Sequence, residues 1–122
     1  MTDVSEAGRL EEIAARLVEQ SRRRGADIAE ASASSGWELT AKVRLGQPEL
    51  VQEAGHRNVA LRVMKDQRVA ITSTSDWTES GLARCVDDAL SLLELSEPDS
   101  FAGPADPSLL SKGPYADLDL FD

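Results

Sequence analysis

Histidine, cysteine and aromatic side chains are all scarce in this chain. It has one His (His56), one Cys (Cys85) and 4% aromatics in 122 residues. One cysteine excludes an internal disulfide. One histidine excludes any two-histidine metal motif, and no zinc site of usual spacing can be drawn. His56 lies in the polar run Gly55-His56-Arg57-Asn58, which reads as a surface turn. A hydrolytic triad has no support without further histidines or a Gly-x-Ser-x-Gly elbow, and no glycine loop suited to cradling phosphate is present. With few aromatics, the core has to be built from Ala, Val, Leu and Ile.

Positive charge is also in short supply. Thirteen Lys and Arg face 22 Asp and Glu, a net charge of −9. Phosphate backbones repel such a chain, and no basic stripe offsets this, so a direct nucleic-acid partner is not expected. The densest basic run, Arg22-Arg23-Arg24, falls at a predicted helix C-terminus, where cations complement the helix dipole. No apolar run reaches membrane-spanning length and no secretory signal is visible, so no membrane partner is expected. Together with the lone cysteine, this makes a reducing cytoplasm the expected location.

What is present is a pattern of alternating periods. Asp3 to Arg24 predicts a helix with the stripe Leu10, Ile13, Ala14, Leu17 and Val18, a possible Asp3–Glu6 capping pair, and Gly25 as a left-handed stop. Gly8 weakens its first turn. Ala26 to Ser34 follows as a short strand with Ala29, Ala31 and Ala33 on one side, small enough for a helix to pack close. Ser35-Gly36 breaks it. Trp37 to Leu45 is the clearest strand, and its alternation predicts one face turned inward and one wet. Gly46-Gln47-Pro48 signals a turn, and Glu49 to Ala54 is a weaker strand. After the Gly55–Asn58 break, Val59, Leu61 and Val63 begin a hairpin that turns at Lys65-Asp66-Gln67 and resumes at Val69, Ile71 and Ser73.

A second helix follows, capped by Asp76 or Thr78, with Glu79 at capping-box distance from Asp76. Its apolar face is Leu82, Cys85, Val86, Ala89, Leu90 and Leu93, which makes Cys85 a buried apolar residue rather than a reactive thiol. Asp87-Asp88 falls on the solvent side. Trp77, just before the helix, is placed to staple its first turn.

The expected fold is α+β, in the order αβββββα. It has an antiparallel sheet of four to five strands, two helices packed on one face, and an extended tail. Residues 1–95 form the domain; 96–122 form a Pro- and Gly-rich tail with one lysine against six acids. Phe101, Tyr115, Leu118, Leu120 and Phe121 punctuate that tail. A free linker does not need them, so they are candidate partner contacts, and the tail is expected to lie against this domain or a partner.

Taken together, several pieces resemble the N-terminal domain of the TldD/PmbA family, whose members are also called modulators of DNA gyrase. They are the helix ending in Arg24-Gly25-Ala26-Asp27, then Ala29-Glu30-Ala31, the hairpin, and the junction Ser73-Thr74-Ser75-Asp76. Ser96-Glu97-Pro98-Asp99 and Asp117-Leu118-Asp119-Leu120-Phe121 complete the set. The Pro-Asp and Asp-Leu-Asp-Leu-Phe pieces look more like the PmbA (TldE) branch. The resemblance implies heterodimeric cytoplasmic metalloproteases acting on peptides, with zinc held by a His-Glu-x-x-x-His helix in the C-terminal domain of the catalytic subunit.

Neither that helix nor its domain is in this sequence. No catalytic, cofactor-binding or metal-ligating residue is therefore assigned, and the chain alone is expected to be inactive. It reads as an N-terminal piece leading towards a missing C-terminal domain. The expected partners are a TldD-like subunit or that missing domain, with peptides as substrates of the assembled complex. The alternative is a free-standing protein-binding adaptor.

Overall fold

The computed structural model describes residues 4–120, in the order α1 (Val4–Arg23), β1 (Ile28–Arg44), β2 (Gln47–Lys65), β3 (Arg68–Thr74) and α2 (Glu79–Leu95). A short 3₁₀ turn, Pro107–Leu109, lies in the tail. Asp3 and its capping pair with Glu6 fall outside the described residues.

Helix α1 ends as its sequence predicts. Gly25 takes a φ of +104°, its N–H donates to the Arg22 carbonyl (3.1 Å), and the Ala26 N–H donates to the Ser21 carbonyl (3.1 Å). That pair of bonds is the Schellman stop, which requires a residue tolerant of positive φ. Ile13 and Leu17 of the predicted stripe are buried, and Leu10, Ala14 and Val18 are half-buried. Ser21 is fully buried beside them; its hydroxyl is satisfied by the Leu17 carbonyl at 2.7 Å.

The sheet has three strands in the order β1-β2-β3, all antiparallel, rather than the four to five expected. Ser35-Gly36 and Gly55–Asn58 are not breaks. Ser35 pairs with Arg57, Gly36 with His56 and Trp37 with Gly55, so the two glycine-bearing stretches lie side by side within one continuous ladder. Gly36 leaves room for its partner: a Cβ there would come within 2.9 Å of His56 Cε1, and the exposed ring would have to swing aside. His56 is accordingly a mid-strand residue and not a turn residue.

The true turns are two-residue loops. Leu45-Gly46 (φ +50°, +76°) closes β1–β2, and Asp66-Gln67 (φ +50°, +60°) closes β2–β3. Positive φ at both positions matches the twist of the flanking strands. Pro48 belongs to β2 and not to the turn. It sits opposite Val43, next to a register shift, on a part of β2 that β3 does not reach, so its missing N–H is tolerated.

Both helices pack on one face of the three-stranded part. Val59, Leu61 and Val63 of β2 join Ile13 and Leu17 of α1 and Leu82, Cys85, Val86, Ala89 and Leu93 of α2 in a single buried cluster. Ala29, Ala31 and Ala33 of β1 pack against its margin under α1. Across the sheet, the Thr72 hydroxyl donates to the Cys85 carbonyl at 3.0 Å, tying β3 to α2. Arg24 pairs with Asp87, joining the end of α1 to the outer side of α2.

The helix cap is Thr78, not Asp76: its hydroxyl accepts from the Gly81 N–H at 3.1 Å. Asp76 instead accepts from both the hydroxyl (2.7 Å) and the N–H (3.0 Å) of Thr78. The Thr78 hydroxyl and then its N–H hold the Asp76 carboxyl below the ordinary carboxylate range, with Arg57 and Arg84 adding to the effect. Gly81 has to be glycine here, because a Cβ would fall within 2.5 Å of the Asp76 carbonyl oxygen.

Two tests follow from this packing. Leu61→Ala should destabilise the domain by about 2–5 kcal/mol in urea denaturation. Ile71→Ala, on the helix-free face and 64% exposed, should change little. Asp76 has a depressed folded pKa, so its contribution is present above the unfolded pKa and is lost as pH falls through the folded one. Asp76→Asn should therefore flatten the acid limb of a stability-versus-pH profile without steepening the neutral region.

Candidate functional site

Beyond Ser34 and Asn58, β1 and β2 outrun β3 and continue as a two-stranded ribbon. Every residue from Trp37 to Asn58 is exposed. Cross-strand pairs stiffen it: Lys42 Nζ lies 3.2 Å and Arg44 3.9 Å from Glu49.

Strand alternation continues the helix-facing side of Ala29, Ala31 and Ala33 onto Trp37, Leu39 and Ala41, with Val51 opposite Ala41. Trp37 is 69%, Leu39 57% and Val51 68% exposed. The inward face expected of the Trp37–Leu45 strand thus meets nothing within the described residues. A two-stranded ribbon wet on both sides is marginal alone, so this one depends on the supported sheet at its base.

At that base lies a groove of about 400 Å³. Its floor is the Ser35–Gly36 and Gly55–Arg57 ladder, one wall is the start of α1 with Glu6, Arg9 and Leu10, and the other is Trp77. Arg57 is held from two sides. Its Nε donates to the Ser75 carbonyl at 3.1 Å, and its guanidinium carbon stands 5.6 Å from the Trp77 ring centroid. Trp77 packs half-buried against the core, with its indole N–H lacking an acceptor among the described residues.

Ser35 donates to Glu6, the one carboxylate among the groove's described lining residues. Neither Arg9 nor Arg57 has an ion-pair partner among the described residues. Reading residues 55–58 as a turn hid this site. Had the strand been followed through, the period of two would have placed Arg57 on the same side as Val59, Leu61 and Val63.

The tail residues singled out as partner contacts stand in solvent: Phe101 94%, Tyr115 71%, Leu118 69% and Leu120 79% exposed. Phe121 lies outside the described residues. The tail is tied to the domain near its start, where the Ser96 hydroxyl donates to the Val69 carbonyl (3.1 Å) and the Asp99 N–H to the Gln67 carbonyl (2.7 Å).

The zinc implied by the resemblance does not fit these residues. Among those described, no three His, Cys, Asp or Glu side chains converge as a ligand set, and His56 stands alone over Gly36. No described helix is long and apolar enough to cross a membrane.

Comparison with known proteins accords with this architecture. The whole chain superposes on part of a protein from Bacteroides thetaiotaomicron named as a modulator of DNA gyrase, with a TM-score of 0.84 at 20% identity. TldE from Thermococcus kodakarensis matches 84% of the chain (TM-score 0.66, 17% identity). A protein from Thermotoga maritima, also named as a modulator of a DNA gyrase, matches 79% (TM-score 0.57, 22% identity). The chain spans only 26%, 23% and 22% of those three chains respectively. No curated protein matches it. A family model described as PmbA/TldA metallopeptidase domain 1 matches residues 29–93, which run from the first helix-facing alanine of β1 to the last buried leucine of α2. The chain therefore belongs to the PmbA/TldD family, as its first domain.

Proposed function

We propose that this chain is a non-catalytic N-terminal domain of a TldD/PmbA-type metallopeptidase subunit. In this reading it supports dimer assembly and shapes peptide access to a zinc site carried elsewhere in the cytoplasmic complex. The observation that carries the proposal is the ribbon. A side that begins as the helix-packing face of the sheet continues for several residues as exposed Trp37, Leu39, Ala41 and Val51. Apolar stripes of this kind on a soluble domain mark protein contacts. The supports are the family match and the structural likeness to a TldE.

The ribbon is the arm that reaches a TldD-like subunit, or a C-terminal domain of the same polypeptide. The groove at its base lies where peptide would pass. Residues 1–95 form the structural unit and 96–122 the connection. The exposed aromatic and leucine side chains of the tail favour one second reading, an adaptor that binds a protein through Phe101, Tyr115, Leu118, Leu120 and Phe121.

The test is to mix the chain with a TldD-like catalytic subunit and measure complex mass by light scattering. A Leu39→Gln/Val51→Gln double variant should weaken the complex at least tenfold while leaving the thermal midpoint of the free chain within a few degrees of wild type. The wild-type chain failing to pair, or the variant pairing equally well, would overturn the assembly role. Pairing lost only on truncation after Leu95 would transfer it to the tail.

A further inference from the structure

The groove beside Trp77 has a composition at odds with the rest of the molecule. A chain of net charge −9 places Arg9 and Arg57 on two sides of one concave surface. The carboxylates beside them are already hydrogen-bonded while remaining charged: Glu6 accepts from Ser35, and Asp76, whose charge Arg57 helps to hold, accepts twice from Thr78. Arg57 is not a mobile surface side chain. The Ser75 carbonyl takes its Nε–H and the Trp77 ring lies beneath it, so its terminal N–H groups are oriented in advance. Preorganised guanidinium donors suit a planar carboxylate, which can take two parallel hydrogen bonds from one fork. Gly55, with open space where a Cβ would stand, leaves the floor accessible to a ligand's backbone. Leu10 and Trp77 add apolar surface next to the donors. A volume of about 400 Å³ holds a few residues and not a folded partner.

We propose that this groove is a recognition site for a peptide carboxylate, an Asp or Glu side chain next to an apolar residue, with Arg57 and Arg9 as its anchors. The inference rests on the reading of the chain as part of a peptidase assembly and narrows it, because it gives the complex a preference for acidic-apolar peptide segments. Charge favours this occupant. The described lining carries two arginines against one carboxylate on an otherwise acidic protein, so the groove is where an acidic side chain meets the least repulsion.

The test uses the full chain and a fluorescein-labelled, amidated peptide containing Asp-Leu-Phe, read by anisotropy. Emission is followed in parallel in a Trp37→Phe background, where Trp77 is the sole tryptophan. Saturable binding that perturbs Trp77 emission and weakens as NaCl is raised is expected. The Asn-Leu-Phe peptide should bind at least tenfold more weakly, and Arg9→Gln and Arg57→Gln should each cost about tenfold. Arg9 is exposed on α1, so its variant tests the site even if Arg57→Gln perturbs packing around Trp77. Equal binding of the Asn peptide, an unchanged Arg9→Gln variant, or inorganic phosphate competing as tightly as the peptide would overturn the assignment. The two proposals fail separately. Peptide binding without subunit pairing removes the assembly role and leaves the groove; pairing without peptide binding does the reverse.

Discussion

Burial of one side of β2 between two helices is the constraint on which everything else in this molecule depends. Val59, Leu61 and Val63 are wholly excluded from water, and they are so because α1 and α2 share the face they occupy. The period of two along the strand then orients every residue paired with them. It sends Ala29, Ala31 and Ala33 under α1 and brings Thr72 against the backbone of α2. A slip of one residue would reverse all of these faces, so the hydrophobic pattern also sets the register.

That register decides where the candidate surfaces lie. Carried outward past the helix ends, the same alternation turns Trp37, Leu39 and Val51 into an exposed stripe and brings Arg57 and Ser35 together in the floor of the groove. The ribbon and the groove are consequences of one ladder that outruns its covering layer. The family match ends at the last buried leucine of α2, so it covers the supported sheet together with the ribbon and excludes the tail. The domain thus joins a well-packed base to an arm and a tail that nothing covers among the described residues.

The glycines show how a local signal can carry two meanings. Gly25 and Gly46 take positive φ and end or turn the chain, as their sequence contexts indicate. Gly36 and Gly55 look the same in sequence but sit inside strands. Gly36 makes room for the His56 ring across the ladder, and Gly55 leaves the groove floor open. Whether a glycine bends the chain or clears space for a neighbour depends on which residue lies opposite, and that residue is twenty positions away along the chain in the case of His56.

The sequence alone determined both helix stripes, the stop at Gly25, a hairpin turn within Lys65-Asp66-Gln67 and the burial of Cys85. The stop and the turn depend on interactions spanning a few residues, and the two stripes, with Cys85's place in one of them, follow from local periodicity. Tertiary structure alone decided that three long strands replace five short ones and that Arg9, Arg57 and Trp77 line one groove. These outcomes depend on cross-strand pairing and on which surfaces the helices reach. Such contacts join residues far apart in the chain, and their energies are settled only when the whole ladder forms at once.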